Sequence, residues 1–347
     1  MTDTLSTREL DLATATLTDF LKVDPAGQDV SWLRQALTAA IEIEIATIPP
    51  YLCAYWSIKD EKQPDSKHAA QVLRRIATEE MYHVGHACNL LVAFGGQPNL
   101  LAAAPRYPGK LPRGVAGDLV VELQGLSKGY VEKTFMMIEE PDIPIALQEG
   151  TEAVTIGEFY DEIKRAILRL QPEITEADRK RQVDFDPLFR IGHWATAIGV
   201  LELVKEEGEG NSANPIGPNG VKAHYYAFAE LVKGKTLIRK NGRWVYQGPA
   251  VAFPDKANVH QMARVPAGGW QNATEDAKER LDTFNDLYAT LLDKLQNAWS
   301  TTKQGDPMED AIAAMLKLAR PARDLMVIQV ENGRGTYGPD FRPKHKS

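Results

Sequence analysis

A glutamate and a histidine interrupt an apolar stripe that follows one face of a long helical segment. The stripe recurs at three- and four-residue steps and consists of Leu73, Ile76, Glu80, His83, Ala87, Leu90 and Phe94. Glu80 and His83 are three residues apart, so their side chains leave the helix on the same side. Because an ionised carboxylate is unstable in apolar packing without a partner, the pair predicts a buried metal site. The same Glu-x-x-His spacing also arises by chance in solvent-facing pairs.

Other segments carry side chains that can complete such a site. Glu44 lies on the apolar face of the first long helix. Glu158 opens a later helix, although its Thr-x-x-Glu spacing also fits a capping box, in which the glutamate binds a backbone amide. A further group lies near Glu209 and His224. Two divalent ions about 3.5–4 Å apart need this many hard ligands, because carboxylates bridge the ions and neutralise their charge.

Several neighbouring features are predicted to lie outside the metal site. Glu42 and Glu79 fall outside the inward faces of their helices. His86 lies close to the face of His83 and is expected to pack in the core, with a role as an extra ligand left open. The chain has no Gly-x-Gly-x-x-Gly segment after a strand, no phosphate-binding loop and no nucleophile elbow. These absences argue against nucleotide cofactors and serine-hydrolase chemistry.

The hydrophobic periodicity predicts a mainly α-helical chain with one small β-hairpin. Helices are predicted for residues 31–48, 66–94, 127–138, 155–170, 187–207, 223–233, 274–300 and 308–330. Pro49-Pro50 is expected to break or kink the first helix, and Pro321 to interrupt the last. Asn241-Gly242 joins two β-prone runs, which is typical of a hairpin.

These elements predict three parts of the chain. Residues 1–30 form an N-terminal extension, and residues 31–235 form a helical metal-binding bundle that includes a long Pro- and Gly-rich crossover. Residues 236–347 contain the hairpin and two C-terminal helices, which are expected to pack on the bundle.

Composition restricts the classes of function. The formal net charge of −7 argues against a nucleic-acid-binding or anionic-membrane-binding surface. Neither a long uninterrupted apolar run nor a basic-then-apolar leader is visible, so a cytoplasmic protein is expected. The two cysteines, Cys53 and Cys88, lie in helical patterns and are predicted to be buried thiols.

Several separated motifs resemble one family, the ferritin-like domain of iminophenylpyruvate-dimer synthases, which includes the imine-coupling enzyme of violacein biosynthesis. The motifs occur in order and are Glu44 followed by Ala46-Thr47-Ile48-Pro49-Pro50-Tyr51-Leu52, Glu79-Glu80-Met81-Tyr82-His83, Gly95-Gly96-Gln97-Pro98, Thr155-Ile156-Gly157-Glu158-Phe159-Tyr160, Glu207-Gly208-Glu209-Gly210 and Gly338-Pro339-Asp340-Phe341. The resemblance covers most of the chain from about residue 31. It departs from the family at Glu207, where the family has glutamine.

The resemblance implies a ferritin-like helical bundle with six metal ligands. Carried over position by position, these are Glu44, Glu80, His83, Glu158, Glu209 and His224. Because Glu202, Glu206 and Glu207 lie close to Glu209, the ligand contributed by that helix stays open among these four acids.

The family implies a non-haem oxidative enzyme with two iron ions, or manganese, acting on a small amino-acid-derived or aromatic substrate. The expected reaction includes imine coupling in natural-product biosynthesis. A partner oxidase that supplies the substrate and a homodimer are expected as well. Two alternatives stay open. One is a ferroxidase or catalase that handles metal without an organic substrate, and the other is a ferritin-like scaffold without catalysis.

Overall fold

Two long antiparallel helices form the centre of the fold. The structure is a computed structural model that describes residues 14–141, 155–208, 210, 214–300, 307–331 and 333–343. In it, α2 (Val30–Trp56) packs along α3 (Lys67–Ala93), and both helices are 27 residues long. Most residues of both helices are buried, because neighbouring elements cover them on several sides.

The other helices surround this pair. They are α1 (Leu17–Lys22), α4 (Leu100–Ala103), α5 (Lys128–Tyr130), α6 (Met136–Ile138), α7 (Ile156–Leu170), α8 (Glu176–Arg181), α9 (Trp194–Gly208), α10 (His224–Lys233), α11 (Glu275–Ala298), α12 (Pro307–Leu316) and α13 (Ala319–Leu325). A π-helical turn, Val131–Phe135, joins α5 to α6. α7 and α9 pack on each other beside α2 and α3, and α10 closes the bundle against α3 and the π-helical turn.

The strands are few and short. β1 (Gly109–Lys110) pairs antiparallel with β2 (Val120–Val121), and β3 (Lys235–Lys240) pairs antiparallel with β4 (Arg243–Ala250). The second pair is the predicted hairpin. Asn241 and Gly242 both adopt a positive φ, as its tight two-residue turn requires.

Of the two outcomes predicted at Pro49-Pro50, the break does not occur, because α2 continues through both prolines to Trp56, and the kink stays a prediction. A proline inside a helix leaves the carbonyl four residues earlier without its amide donor. For Pro50 that carbonyl belongs to Ala46, and the buried hydroxyl of Tyr107 donates to it at 2.6 Å. A tertiary hydrogen bond, contributed from the long crossover, therefore replaces the missing helical one.

Two other helix boundaries differ from the sequence prediction. α9 begins at Trp194, seven residues after the predicted start at residue 187, because residues 187–193 form an irregular segment that packs against α3. The last predicted helix is divided between Leu316 and Ala319, so Pro321 lies in the first turn of α13, where its missing amide costs no hydrogen bond.

One continuous core runs through the described residues. It extends from Ala15 to Phe341 and includes residues from all three predicted parts of the chain. α11 and α13 pack on elements of the bundle, among them α4 and α2. The division at residues 30 and 235 stays a prediction.

By length and composition alone, α2 is apolar enough to cross a membrane. However, 78% of its most apolar window is buried inside the structure, and the helix carries the acidic Glu44 at its centre. Both properties are those of a core helix.

Candidate metal centre

Two groups of acidic and imidazole side chains meet at the centre of the bundle. The first consists of Glu44, Glu80 and His83, and the second of Glu80, Glu139 and His224. Within each group, one ligand atom from each residue lies within 4.8 Å of the others, and all five side chains are buried. Glu80 belongs to both groups, so its two oxygens face two different sets of partners.

The two histidines contact different oxygens of Glu80. The Nδ1 atom of His224 lies 2.8 Å from Oε1 of Glu80, and the Nδ1 atom of His83 lies 3.7 Å from Oε2. Their rings are nearly parallel, with centroids 5.6 Å apart. A carboxylate placed in this way has the arrangement of a bridging ligand between two cations.

An outer carboxylate holds each imidazole from behind. The Nε2 atom of His224 lies 3.0 Å from Glu79, and that of His83 lies 3.1 Å from Glu207. Protonation at Nε2 lets each ring donate to its outer carboxylate and leaves Nδ1 with a free lone pair. Metal-binding histidines are commonly oriented by such carboxylate partners.

Hydroxyl groups fix the three inner carboxylates. Tyr160 donates to Glu44, and Tyr51 donates to Glu139 at 2.5 Å. The hydroxyl of Thr47 lies 3.0 Å from Oε2 of Glu80. Each carboxylate therefore keeps one orientation, and its remaining oxygen lone pairs are available to a cation.

Local structure explains how Glu139 and His224 reach the centre. Glu139 directly follows the helical stretch that contains the π-helical turn, and its amide still donates to the carbonyl of Phe135. π-helical turns are frequent at functional sites, because they shift the residues that follow relative to a regular helix. His224 is the first residue of α10, where the chain enters the core after Ala223.

Burial and mutual interaction shift the pKa values of the cluster in different directions. Burial raises the pKa of Glu44 to about 7 and also raises the pKa of Glu139. Burial would raise the pKa of Glu80 too, but contacts with His224 and His83 hold it well below its usual value. For both histidines, burial lowers the pKa, and the surrounding carboxylates more than reverse this effect.

The donor set fits divalent metal ions. Nδ1 of His224 is buried and close to Glu80, yet it makes no hydrogen bond of acceptable geometry within the described residues. Metal binding would require both imidazoles to lose the proton that their raised pKa values favour and the carboxylates to ionise, and bound cations would neutralise the negative charge that this leaves in an apolar bundle. Carboxylate and imidazole ligands together suit iron, manganese or zinc. The five residues would hold two ions, and Glu80 would be a ligand common to both groups.

Four of the six sequence-predicted ligands meet in the structure. Glu44, Glu80, His83 and His224 all belong to the two groups, and whether they bind metal stays a prediction. Glu209 lies outside the described residues. Glu207, one of the other candidates at the end of α9, contacts His83. Glu202, a further candidate, is half-exposed and pairs with Lys164.

Glu158 is not brought to either group. Its side chain is exposed and accepts a hydrogen bond from the amide of Thr155, while the Thr155 hydroxyl accepts from the amide of Glu158. This is the capping box that its spacing also allowed, so in the structure Glu158 does not meet the other predicted ligands, and its role as a ligand stays a prediction. The position at the start of α7 that turns inward is instead Tyr160, two residues later.

Sequence reasoning missed Glu139 and misjudged Glu79. Glu139 was obscured because Glu139-Glu140-Pro141 reads as the end of a helix, although Glu139 follows buried Phe135 by four residues and so shares its face. Glu79 was expected to face away from the site, but its carboxylate reaches His224. Helical spacing shows only which face of its own helix a residue occupies. It could not show that His224, which contacts Glu79, comes from a different helix.

Comparison with known proteins identifies the fold family. A ferritin-like family model matches residues 37–233, which is more than half of the chain. The chain belongs to the ferritin-like family. This ferritin-like chain also superposes on a ferritin-like protein from Caulobacter vibrioides with a TM-score of 0.61 and 21% sequence identity. The superposition covers 90% of this chain and 97% of the other.

The comparisons confirm the predicted fold class and its helical architecture. At 21% identity the structural likeness concerns the fold alone. No curated protein matches the chain. The ferritin-like family model spans every residue of the two groups, from Glu44 to His224.

Proposed function

We propose that this ferritin-like protein is a non-haem, metal-dependent oxidative enzyme that binds a pair of ions, iron or manganese. The observation that carries the proposal is the sharing of Glu80 between two buried ligand groups, each with its own inward-facing histidine. If two ions share five ligand residues, with Glu80 common to both, coordination positions stay free, as oxidative catalysis needs.

The residues of the chain would hold and shield the centre. Glu44, Glu80, His83, Glu139 and His224 would bind the ions, and Glu79 and Glu207 would orient the two imidazoles. Ile138, Ile156 and Val204 line the small cavity beside the cluster and keep bulk water away from it. Bound iron would supply the one-electron chemistry with oxygen that amino-acid side chains lack.

The sequence motifs support a more specific proposal. Their resemblance to the iminophenylpyruvate-dimer synthases favours a small amino-acid-derived or aromatic substrate, with imine coupling in natural-product biosynthesis as the reaction. A partner oxidase would then supply the unstable substrate. Two unpaired buried cysteines agree with a cytoplasmic enzyme, and we include a homodimer among these proposals.

One observation favours a second candidate, a ferroxidase- or catalase-type protein. The cavity lined by Glu44, Glu80, His83 and Glu139 has a volume of only about 20 Å³ among the described residues. That volume holds about one water molecule. Iron ions, oxygen or peroxide would fit a centre of this size without further opening.

Oxygen uptake separates the two candidates. The protein is loaded with Fe(II) without oxygen, and uptake is then measured with and without imine or amino-acid substrates, using Glu80→Ala as the control. The oxidative enzyme is expected to consume oxygen faster when the organic substrate is present. Uptake that follows only the added Fe(II) would favour the ferroxidase. Dismutation of added peroxide would favour the catalase, and absence of bound metal would favour a scaffold.

A further inference from the structure

A large apolar cavity lies apart from the metal centre. Its volume is about 280 Å³, and it is enclosed by α2 and α3 on one side and by α11 and α12 on the other. α11 and α12 contribute nothing to the small cavity at the metal cluster, whose other walls come from α7 and α9. The two cavities therefore use different faces of the same central helices.

The volume exceeds what packing defects produce. Protein interiors contain few voids larger than a water molecule. Apolar cavities of roughly half this volume bind molecules of the size of benzene, and drug-sized ligand pockets begin at about 300 Å³. The cavity is thus large enough for an organic molecule.

The surrounding residues select the chemistry of the occupant. The described residues that line the cavity carry no charge, and most are aliphatic or aromatic, among them Leu52, Leu291 and Met308. Most of them are also buried, so the space lies largely inside the protein and suits a small molecule.

One polar group in the wall has no partner. The hydroxyl of Tyr288 is buried and makes no hydrogen bond in the parts of the chain that the structure describes. Burial raises the pKa of this phenol, so the group remains a neutral donor. An unsatisfied buried hydroxyl is costly, and a ligand that accepts its hydrogen bond would remove that cost.

We propose that this cavity is a second ligand site, which binds an uncharged, largely hydrocarbon molecule through apolar contacts and one hydrogen-bond acceptor. The acceptor, for example a ketone or ester carbonyl, receives the hydrogen bond of Tyr288. The proposal is independent of the metal chemistry, since no metal-binding side chain lines this cavity.

Titration with Prodan, an uncharged naphthyl ketone whose fluorescence reports polarity and hydrogen bonding, tests the proposal on the full-length protein. The wild type is expected to bind the dye saturably with a blue-shifted emission. Ala311→Phe, which fills the cavity from α12, is expected to weaken binding by at least about tenfold. Tyr288→Phe is expected to weaken it by about two- to tenfold, the value of one neutral hydrogen bond.

The matched control is Ala313→Phe, which adds the same side chain to an exposed position of the same helix. Met315→Trp, at a half-buried position in the cavity wall, replaces Ala311→Phe if that variant does not fold. Absence of saturable binding to the wild type, or equal affinity in the cavity-filling variant, would overturn the site. Equal affinity in Tyr288→Phe would overturn the role of the hydroxyl. Loss of binding on chelation of metal would assign the dye to the metal centre instead.

Discussion

Individual residues of the cluster divide into those that face the metal positions and those that orient them. Glu80 contacts both imidazoles, and its two oxygens point to different partners. Glu79, the adjacent residue, lies outside that space, where it contacts the far nitrogen of His224 and also pairs with Arg75. Neighbours in sequence therefore have different roles, which depend on the direction of each side chain from α3.

We predict that Glu79→Gln weakens metal affinity without removing the site. The variant keeps the size of the side chain but loses the carboxylate that holds His224, and loss of such outer partners lowers affinity by roughly 10–100-fold. Competition with a metal chelator of known affinity measures the change. Glu42→Gln is the control, because Glu42 pairs with Arg113 away from the cluster. Equal affinities in the two variants would contradict the orienting role.

The sequence predicted a large part of this cluster because helical spacing places Glu44, Glu80 and His83 on apolar faces. Their burial follows from periodicity alone. Glu139 could not be found in the same way, since it follows the end of a short helical stretch. Spacing also cannot show which carboxylate of another helix meets each imidazole, because that depends on how the helices pack.

At the scale of elements, the start of α7 decides the role of Glu158. A Thr-x-x-Glu sequence can cap a helix or present its glutamate to a partner, and the local sequence is the same in both cases. The structure shows the capping box, with the carboxylate exposed. In contrast, the extent of α2 was not visible in sequence, because the Tyr107 hydroxyl that replaces the lost helical hydrogen bond comes from a distant crossover.

We predict that Glu158→Ala lowers the free energy of unfolding by about 0.3–1.5 kcal/mol, the usual value of a capping interaction. The reason is the loss of the carboxylate that accepts from the amide of Thr155. Denaturant unfolding measures the change, with Glu173→Ala, an exposed loop substitution, as the control. The bound metal per chain should stay at the wild-type value. A variant that loses metal would return Glu158 to the ligand set.

At the scale of the whole molecule, the metal centre joins elements that are far apart in sequence. α3 contributes two side chains to it, and α2, α10 and the segment after α6 contribute one each. Without cations, burial and the charge of Glu80 make Glu44 and Glu139 resist ionisation in the apolar bundle. Bound ions should therefore stabilise the entire bundle, since they bind the folded state alone.

We predict that chelation of metal lowers the melting temperature and that added Fe(II) or Mn(II) restores it. At a free ion concentration 100 times the dissociation constant, each site contributes about 2.7 kcal/mol to the free energy of unfolding. Calorimetry or circular dichroism follows the transition, with calcium, which prefers purely oxygen ligands, as the control ion. An identical melting curve before and after full demetallation would show that the cluster does not bind metal in the folded protein.

The most direct test of the metal centre is the ratio of metal to chain. Protein loaded with Fe(II) without oxygen and freed of loosely bound ions is analysed for its metal content, together with Glu80→Ala and Glu42→Ala. The wild type and Glu42→Ala should hold about two ions per chain, one for each ligand group. Glu80→Ala should lose most of both ions, because its carboxylate is common to the two groups. Equal metal content in all three proteins, or none in the wild type, would contradict a dimetal centre built around Glu80.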